Sequence, residues 1–189
     1  MKAKPYHHYK GKDLTPSEKI EREVVTLLLH SKIPDSKRES SIVFELKHSS
    51  ECVQTARILA QKRNLDVDLA EVAAVLHDIS VVVTGKYKDH RKNGAKIAAK
   101  ILKKIGGFSA KEQKTILDTI EHHSEKDIYS DNPYLELVKD ADVFSCSYYK
   151  GSEAEYRRIK PGPLFAQYVS RIKKVRRELG LPEKPIFRS

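Results

Sequence analysis

A nearly unbroken apolar segment that ends in a charged pair is the feature that most constrains how this chain folds. The segment Ala73-Ala74-Val75-Leu76-His77-Asp78-Ile79 is apolar except for His77 and Asp78. A helix that is apolar all round is buried, and an uncompensated carboxylate is costly to bury. Histidine and aspartate are both metal-ligand side chains. The sequence therefore predicts that a divalent metal is the partner of this pair.

Length and composition indicate one compact, helix-rich protein. The chain has 189 residues, of which 39% are hydrophobic and 33% charged, enough for one domain with a substantial core. Residues 1–6 are polar and contain no apolar signal core, and apolar runs such as residues 24–29 are too short to span a bilayer. We therefore expect a cytoplasmic protein without a membrane partner. The cysteines Cys52 and Cys146 fit a reducing compartment.

The basic character of the chain indicates an attraction for anions. The formal net charge is +10, which favours an anionic partner such as a nucleotide or a nucleic acid. Lysine is spread along the whole chain, however, and the one dense basic cluster, residues 171–177, follows an amphipathic helical pattern. The cluster has no interleaved aromatic residues of the kind that build a nucleic-acid platform. Nucleic acid is thus compatible with the sequence but receives no specific support from it.

Helical periodicity extends along almost the whole chain. Capping boxes begin helices at Thr15 and Ser109, and Asn132-Pro133 begins another. Seven helices are predicted: residues 15–30, 49–63, 68–78, 90–105 and 109–124, one from residue 132, and one that Gly180 ends. The second of them can begin a turn or more earlier. Residues 81–85 break the helical pattern and suggest a short extended piece, and residues 151–162 are expected to form a loop.

Helical phase predicts that other histidines also face the core. Residues three or four apart share one face of a helix. Two apolar stripes each contain a histidine: His48, Cys52, Thr55, Ala56 and Leu59 in one, and His90, Gly94, Ile97, Ala98 and Ile101 in the other. Gly94 removes a side chain where another helix or a ligand can approach. We assign Cys52 to the core rather than to the ligand set.

For two pairs of neighbouring residues, helical phase is the only criterion that indicates which member is the metal ligand. His123 lies near the apolar face around Ile120, whereas His122 lies on the more polar side and reaches a second metal only if the helix end unwinds. On the next helix Asp142 lies closer to the apolar side than Asp140 does. Phase therefore favours His123 and Asp142, and leaves the other members as alternatives.

The candidate ligands are neutral imidazoles and carboxylates on separate helices. They are His48, His77, Asp78, His90, His122, His123 and Asp142. This donor set suits one or two divalent ions, Mn, Fe, Mg or Zn, with positions left for water. It differs from a structural zinc site, which usually contains cysteines. We expect the remaining histidines, His7, His8 and His30, at the surface or in a tail.

The order of these residues resembles the HD-domain superfamily of metal-dependent phosphohydrolases. The similarity extends over residues 47–147. Its specific parts are His48-Ser49-Ser50-Glu51-Cys52-Val53, Ala73-Ala74-Val75-Leu76-His77-Asp78-Ile79 and Ala141-Asp142-Val143-Phe144. The resemblance implies an all-α, HD-domain-like bundle of about seven helices. We divide it into an N-terminal tail (1–14), an HD-type metal-binding domain (15–150) and a C-terminal helical extension of the same domain (151–189).

The resemblance also implies where metal would bind. The family's first metal site corresponds to His48, His77, Asp78 and Asp142 in this chain. In some branches the aspartate of the dipeptide bridges to a second metal, whose ligands correspond to His90 and to residues 122–123. The chain lacks the Gly-Tyr-Pro signature of the cyclic-di-GMP phosphodiesterase branch. It also lacks a glutamate shortly after residue 78, which puts the mechanism of the deoxynucleoside-monophosphate phosphatases in doubt.

The activity implied by the resemblance is hydrolysis of phosphoester or phosphoanhydride bonds. Asp78 would bridge two metals or orient the water, and Arg91, beside His90, would assist catalysis. Basic residues near the site are expected to neutralise the substrate's phosphate: Lys86, Lys88, Arg91 and Lys92. The expected partner is a small phosphate substrate, foremost a nucleotide, and a homo-oligomer is compatible with the sequence. Two alternatives stay open: a metal-stabilised, non-enzymatic ligand-binding or scaffolding domain, and a di-iron oxygenase, an activity found in a few HD-fold proteins.

Overall fold

The described part of the chain is entirely helical. The computed structural model describes residues 13–188. These residues form α1 (Pro16–Leu29), α2 (Ile42–Lys62), α3 (Val67–Leu76), α4 (Ile79–Thr84), α5 (His90–Ile105), α6 (Ala110–His122), α7 (Pro133–Cys146), α8 (Ser152–Ile159) and α9 (Gly162–Glu178), with a 3₁₀ turn at Asp35–Lys37. The all-α prediction is confirmed. His7, His8 and most of the predicted tail lie outside the described residues.

Local capping signals set the helix starts as the sequence predicts. The Thr15 hydroxyl accepts from the N–H of Glu18, and the Glu18 carboxylate accepts from the N–H of Thr15, at 3.2 and 2.8 Å. Ser109 and Glu112 form the same box at α6. The Asn132 side chain caps α7 by accepting from two backbone N–H groups of its first turn. These bonds satisfy donors that have no partner inside a helix.

The prediction of an extended piece at residues 81–85 is wrong, because α4 occupies this segment. The Asp78 carbonyl accepts hydrogen bonds from the N–H groups of Val81 and Val82, at 2.8 and 3.1 Å. The buried Arg38 guanidinium, from a distant part of the chain, donates to the carbonyls of Val81 and Val82. Tertiary contacts of this kind override the weak helix propensity of valine, and no local sequence signal predicts them.

One helix start agrees with the earlier of the two predicted positions, and one predicted loop contains a helix. Helix α2 begins at Ile42, nearly two turns before residue 49, because Ser41 caps it by accepting from the N–H of Phe44 at 3.1 Å. Helix α8 lies within the predicted loop 151–162. It carries an ion pair between Arg157 and Glu153, one turn apart, at 2.8 Å, which is a spacing that supports short helices.

Helix α3 is the central helix of the described bundle. It contacts α1, α2, α6 and α7. Ala70, Val72, Ala73, Ala74 and Leu76 are fully buried in it, in agreement with the apolar sequence. Small alanine side chains allow neighbouring helices to approach closely, so the His77-Asp78 pair that follows α3 lies in the middle of the bundle.

Gly94 allows α5 to approach α6. A Cβ atom at Gly94 would lie 3.2 Å from Cγ2 of Ile120 and 3.8 Å from the carbonyl oxygen of His77. The helix surface at this point therefore has no room for a side chain, as the sequence suggested. The close approach brings the first turn of α5, which carries His90, toward His77.

A buried ion-pair network joins α7 to α9. The Asp140 carboxylate is fully buried and accepts from Arg63, Arg171 and Lys174, at 2.7, 2.9 and 2.8 Å. Arg171 is itself buried. One arginine of the basic cluster that the sequence predicts as an outer helix face is therefore buried in the core.

None of the helices within residues 13–188 is both long and apolar enough to cross a membrane.

The network gives a stability prediction. Replacing Asp140 with Ala removes one of the two carboxylates that pair with the buried Arg171, the other being Glu136 at 2.8 Å, and also removes an acceptor of Arg63 and Lys174. We therefore expect a loss of about 3–5 kcal/mol in the free energy of unfolding. Urea unfolding followed by circular dichroism measures this loss. Asp131→Ala, at an exposed aspartate, is the control and should change stability by less than about 0.5 kcal/mol. Equal stability of the two variants would contradict the structural role of Asp140.

Candidate metal centre

Five segments of the bundle meet at one buried point and bring most of the predicted ligands together. The converging residues are His48 on α2, His77 and Asp78 between α3 and α4, His90 at the start of α5, His123 at the end of α6, and Asp142 on α7. They form two adjacent clusters.

The first cluster contains His48, Cys52, His77 and Asp142. One ligand atom from each residue lies within 4.8 Å of the others. The Nε2 atom of His48 is 3.3 Å from Nε2 of His77 and 3.4 Å from Oδ1 of Asp142. Imidazole nitrogens and carboxylate oxygens at such mutual distances can hold a divalent cation.

The second cluster contains Asp78, His90 and His123. The Nε2 atoms of the two histidines are 3.3 Å apart. Oδ1 of Asp78 lies 3.6 Å from Nε2 of His90 and 3.5 Å from Nε2 of His123. The Ser124 hydroxyl is within hydrogen-bond distance of both rings. This cluster can also hold a cation.

Asp78 lies between the two clusters. Its Oδ2 atom is 3.3 Å from Nε2 of His77 and 3.9 Å from Nε2 of His48, while Oδ1 faces the second cluster. Oδ1 is buried and has no hydrogen-bond donor among the described residues. A buried carboxylate oxygen without a donor is costly. A cation between these donors would remove that cost, so the residues present fit a metal.

Backbone carbonyls fix the orientation of three of the histidines. The Nδ1 atoms of His77, His90 and His123 lie 2.6, 2.7 and 2.7 Å from the carbonyl oxygens three residues before them. A carbonyl only accepts, so each Nδ1 carries a proton, and Nε2 is the nitrogen that faces the clusters and could ligate a cation once it is unprotonated. Such bonds to the second nitrogen are the usual support of metal-binding histidines.

The pKa values of the two aspartates favour their ionised forms. Burial alone would raise the pKa of Asp78, but His77 and His123 outweigh it and hold the pKa well below its ordinary value. Burial likewise opposes ionisation of Asp142, and the Lys126 ammonium and His48 lower its pKa well below the ordinary value. Both carboxylates are therefore negative at neutral pH and available to a cation.

Two histidines of the site differ in pKa. Burial lowers the pKa of His123 to about 4, so its imidazole is neutral at pH 7 and can ligate a metal without losing a proton. Burial also lowers the pKa of His48, but Cys52, Cys146 and Asp142 outweigh it and raise the pKa well above its ordinary value. A metal at the first cluster would displace the proton of His48.

Lys126 is a site residue that the sequence did not reveal. Its side chain is only 2% exposed, and Nζ donates to Oδ2 of Asp142 at 2.5 Å and to the carbonyl of His123 at 2.7 Å. The bond to Oδ2 leaves Oδ1 of Asp142 directed to His48. Lysine is rarely buried, so a lysine between Glu125 and Asp127 in the sequence gives no sign of this role.

Other site neighbours carry weak sequence signals. Cys52, assigned to the core, is buried but also belongs to the first cluster, and its spacing of four from His48 places it on the same face. Ser145, three residues after Asp142, donates its one hydroxyl proton to Glu51 at 3.0 Å and can accept from Nδ1–H of His48 at 3.1 Å. Helical phase could have identified both.

Two of the alternatives lie away from the clusters. The His122 side chain is 42% exposed, with Nδ1 2.9 Å from the Glu125 carboxylate, so the unwinding that would bring it to a metal is absent. Asp140 belongs to the ion-pair network with Arg171. His30 is exposed at the end of α1. The geometry favours His123, as helical phase does. For the aspartates the phase argument is wrong about burial, because Asp140 is fully buried and the Asp142 side chain is 17% exposed; Asp142 is favoured because its carboxylate, and not that of Asp140, lies in the first cluster.

The predicted phosphate-binding cations lie at the surface near the site. Arg91 contacts the Glu125 carboxylate and, at 3.4 Å, the carbonyl of Glu121. Lys86 lies 3.6 Å from Glu39, and the other two predicted cations, Lys88 and Lys92, are exposed. Lys86 and Arg91 would each have to leave a carboxylate before they could contact a phosphate.

The placement of the neighbouring histidines gives a prediction about metal affinity. His123→Ala should weaken Mn²⁺ binding by at least about tenfold, because it removes a ligand atom rather than a supporting bond. His122→Ala should leave the affinity unchanged. Isothermal titration calorimetry of the metal-free proteins makes the comparison. If His122→Ala is the variant that loses affinity, the assignment of the second cluster is wrong.

Several curated relatives share a name. The chain is 32% identical to Ribonuclease Y of Mycoplasmoides gallisepticum over 142 residues, 66% of this chain and 23% of the relative. It is 36% identical to Ribonuclease Y of Chlorobium luteolum over 101 residues, 53% of this chain and 17% of the relative. It is 34% identical to Ribonuclease Y of Thermus thermophilus over 104 residues, 54% of this chain and 16% of the relative. The chain spans less than a quarter of the length of these relatives.

A solved structure and a family model indicate the fold and the family of this chain. A crystal structure of a predicted HD superfamily hydrolase from an uncultured Thermotogales bacterium aligns with a TM-score of 0.53 and 20% identity, over 84% of this chain and 91% of that chain. This likeness supports the same helical fold. The family model of the HD domain matches residues 46–146. This range includes all six clustered histidines and aspartates. The chain belongs to the HD-domain family.

Proposed function

We propose that this protein is a metal-dependent phosphohydrolase that acts on a nucleotide or another phosphate ester. The observation that carries the proposal is the buried Asp78 carboxylate between two histidine-containing clusters, with one oxygen that has no hydrogen-bond donor among residues 13–188. Membership of the HD-domain family and the hydrolase description of the solved relative support it.

The proposed metal ligands form two sets that share a boundary at Asp78. His48, His77 and Asp142 would hold one ion, and His90 and His123 would hold a second, with Asp78 contributing to either or both. The donor chemistry suits Mn, Fe, Mg or Zn. A bound divalent ion would supply Lewis acidity toward a phosphoryl oxygen and lower the pKa of water.

The protein's own residues contribute a fixed arrangement of charges. Asp78 and Asp142 are held ionised by their neighbours, and Lys126 directs Asp142 through one oxygen. The backbone bonds to Nδ1 orient the imidazoles before any ligand binds. Little reorganisation is then needed when substrate binds, which is how preorganised sites accelerate reactions. In this proposal Asp78 is the central catalytic carboxylate.

Substrate phosphate would be neutralised from the α5 side of the site. Arg91 and Lys92 follow His90 directly, and Lys86 and Lys88 lie on the preceding segment. Arg91 can make two parallel hydrogen bonds to a phosphate, after exchanging its contact with Glu125 for the substrate. We propose Arg91 as the cation that assists catalysis and the lysines as a surrounding positive field.

RNA is a second candidate substrate, and a specific observation favours it. The curated relatives over this region are named Ribonuclease Y. The net charge of +10 also favours association with a polyanion, with an affinity that falls as salt rises. A phosphodiester in RNA and a phosphate ester in a nucleotide both present a P–O bond that an attacking water can cleave, so one panel can compare them.

The test is hydrolysis by the wild type and by Asp78→Asn, which keeps the shape of the side chain but removes its charge. With Mn²⁺ present, we expect Asp78→Asn to lower kcat/KM by at least about a hundredfold, because the metal contribution to catalysis depends on this carboxylate. The substrates are nucleoside mono-, di- and triphosphates, cyclic nucleotides and a single-stranded RNA oligonucleotide.

The control is His30→Gln, which changes an exposed histidine far from the clusters and should keep full activity. Hydrolysis that survives in Asp78→Asn would refute the assignment. Metal binding without hydrolysis of any substrate would favour the ligand-binding or scaffolding alternative. An iron-dependent absorption spectrum that responds to oxygen would favour the oxygenase alternative.

A further inference from the structure

A cleft of about 320 Å³ lies beside the candidate metal centre, between α2, the end of α7 and the start of α8. Its wall includes Cys146, whose Sγ atom is 3.9 Å from Nδ1 of His48 and 3.8 Å from Oδ1 of Asp142. The cleft therefore shares a wall with the first cluster. Its volume lies at the lower end of the range of small-ligand sites, about 300–1,000 Å³.

Aromatic rings form much of this wall. Phe44 stacks on the His48 ring, with centroids 5.5 Å apart and ring planes at 15°. Phe44 also packs against Tyr149 at 5.0 Å, and Tyr156 lines the same cleft. Rings in such an arrangement present faces on which planar heterocycles stack.

One polar group in the cleft wall has no partner. The hydroxyl oxygen of Ser152 is buried and makes no hydrogen bond with any described residue. A buried hydroxyl without a partner is destabilising. Rotation of the Ser152 side chain toward the cleft would let a donor or acceptor on the edge of a ligand satisfy this group, whereas a purely apolar ligand would not.

Charged groups at the rim suit a ligand that carries a phosphate. The Lys47 ammonium lies 5.0 Å from the centroid of the Tyr149 ring, and the exposed Lys150 also lines the cleft. The nearby Glu155 carboxylate is paired with Arg158 at 2.6 Å. Lys47 also lies 3.8 Å from the Glu51 carboxylate, so Lys150 is the main source of positive charge at the rim next to the aromatic wall.

We propose that this cleft binds the nucleobase of the substrate while its phosphate occupies the metal centre. The base stacks on the Tyr149 and Phe44 rings, and its polar edge pairs with the Ser152 hydroxyl. This inference rests on the proposed function, because it assumes that the substrate is a nucleotide or contains one. It identifies Tyr149 and Ser152 as determinants of specificity for a base.

The test compares two ligands that differ only in the base. AMP and ribose 5-phosphate are titrated into the Mn²⁺-loaded wild-type full chain, or are replaced by their non-hydrolysable phosphonate analogues if the wild type hydrolyses them. Binding is followed by calorimetry. We expect AMP to bind at least about tenfold more tightly than ribose 5-phosphate, since a stacked base contributes about that much.

Variants of the cleft locate the base. Tyr149→Ala should remove most of the preference for AMP. Tyr149→Phe should keep it, because the ring remains although the hydroxyl bond to Glu51, 2.9 Å long, is lost. Ser152→Ala, a mild change in the first turn of α8, should lower the affinity for AMP but leave the affinity for ribose 5-phosphate unchanged. This variant keeps the test valid if Tyr149→Ala fails to fold.

The outcomes separate this inference from the proposed function. Equal binding of the two ligands by the parent protein, no binding of either, or an equal loss of both in Tyr149→Ala would overturn the base site. A base-dependent affinity without hydrolysis of any phosphate ester would instead retain the base site and remove the proposed activity.

Discussion

The buried carboxylate of Asp78 is the group on which the arrangement of the site depends. It ends the most apolar helix of the bundle, where burial opposes a negative charge, and neighbouring histidines keep it ionised all the same. One of its oxygens faces each cluster, and the one facing His90 and His123 has no hydrogen-bond donor in the part of the chain that the structure describes. The ionised Asp78 carboxylate therefore favours a cation at this site, and the surrounding helices place their ligand atoms around it.

Residues that are not themselves candidate ligands hold the ligands of the site in position. Gly94 lets α5 approach α6, which sets the position of His90. The Lys126 ammonium holds one oxygen of Asp142, and Arg171 donates to the Lys126 carbonyl at 2.8 Å. Arg171 is also bound to Asp140. Helix α9, outside the matched HD region, is thereby connected to a ligand of the candidate centre through a short series of buried polar contacts.

The sequence predicted the parts of this protein that depend on periodicity and local hydrogen bonding. Capping at Thr15 and Ser109, and the inward phase of His48 and His123, follow from spacings within one helix. Phase did not predict that Asp140 is more deeply buried than Asp142, because Asp140 is buried by basic partners from other parts of the chain. What escaped prediction depends on distant partners. Helix α4 needs the Arg38 guanidinium, which is more than forty residues away along the chain, and the burial of Lys126 needs the Asp142 carboxylate. Whether the clustered residues bind metal stays a prediction.

The most direct measurement is anomalous X-ray diffraction from crystals soaked with Mn²⁺, which locates bound ions independently of any assay. We expect an anomalous peak among His48, His77 and Asp142, within ligand distance of Asp78. At saturating metal, we expect a second peak among Asp78, His90 and His123. Crystals that take up no ion at these positions, with the Asp78 oxygen instead paired to a protein donor, would contradict the central role of this carboxylate.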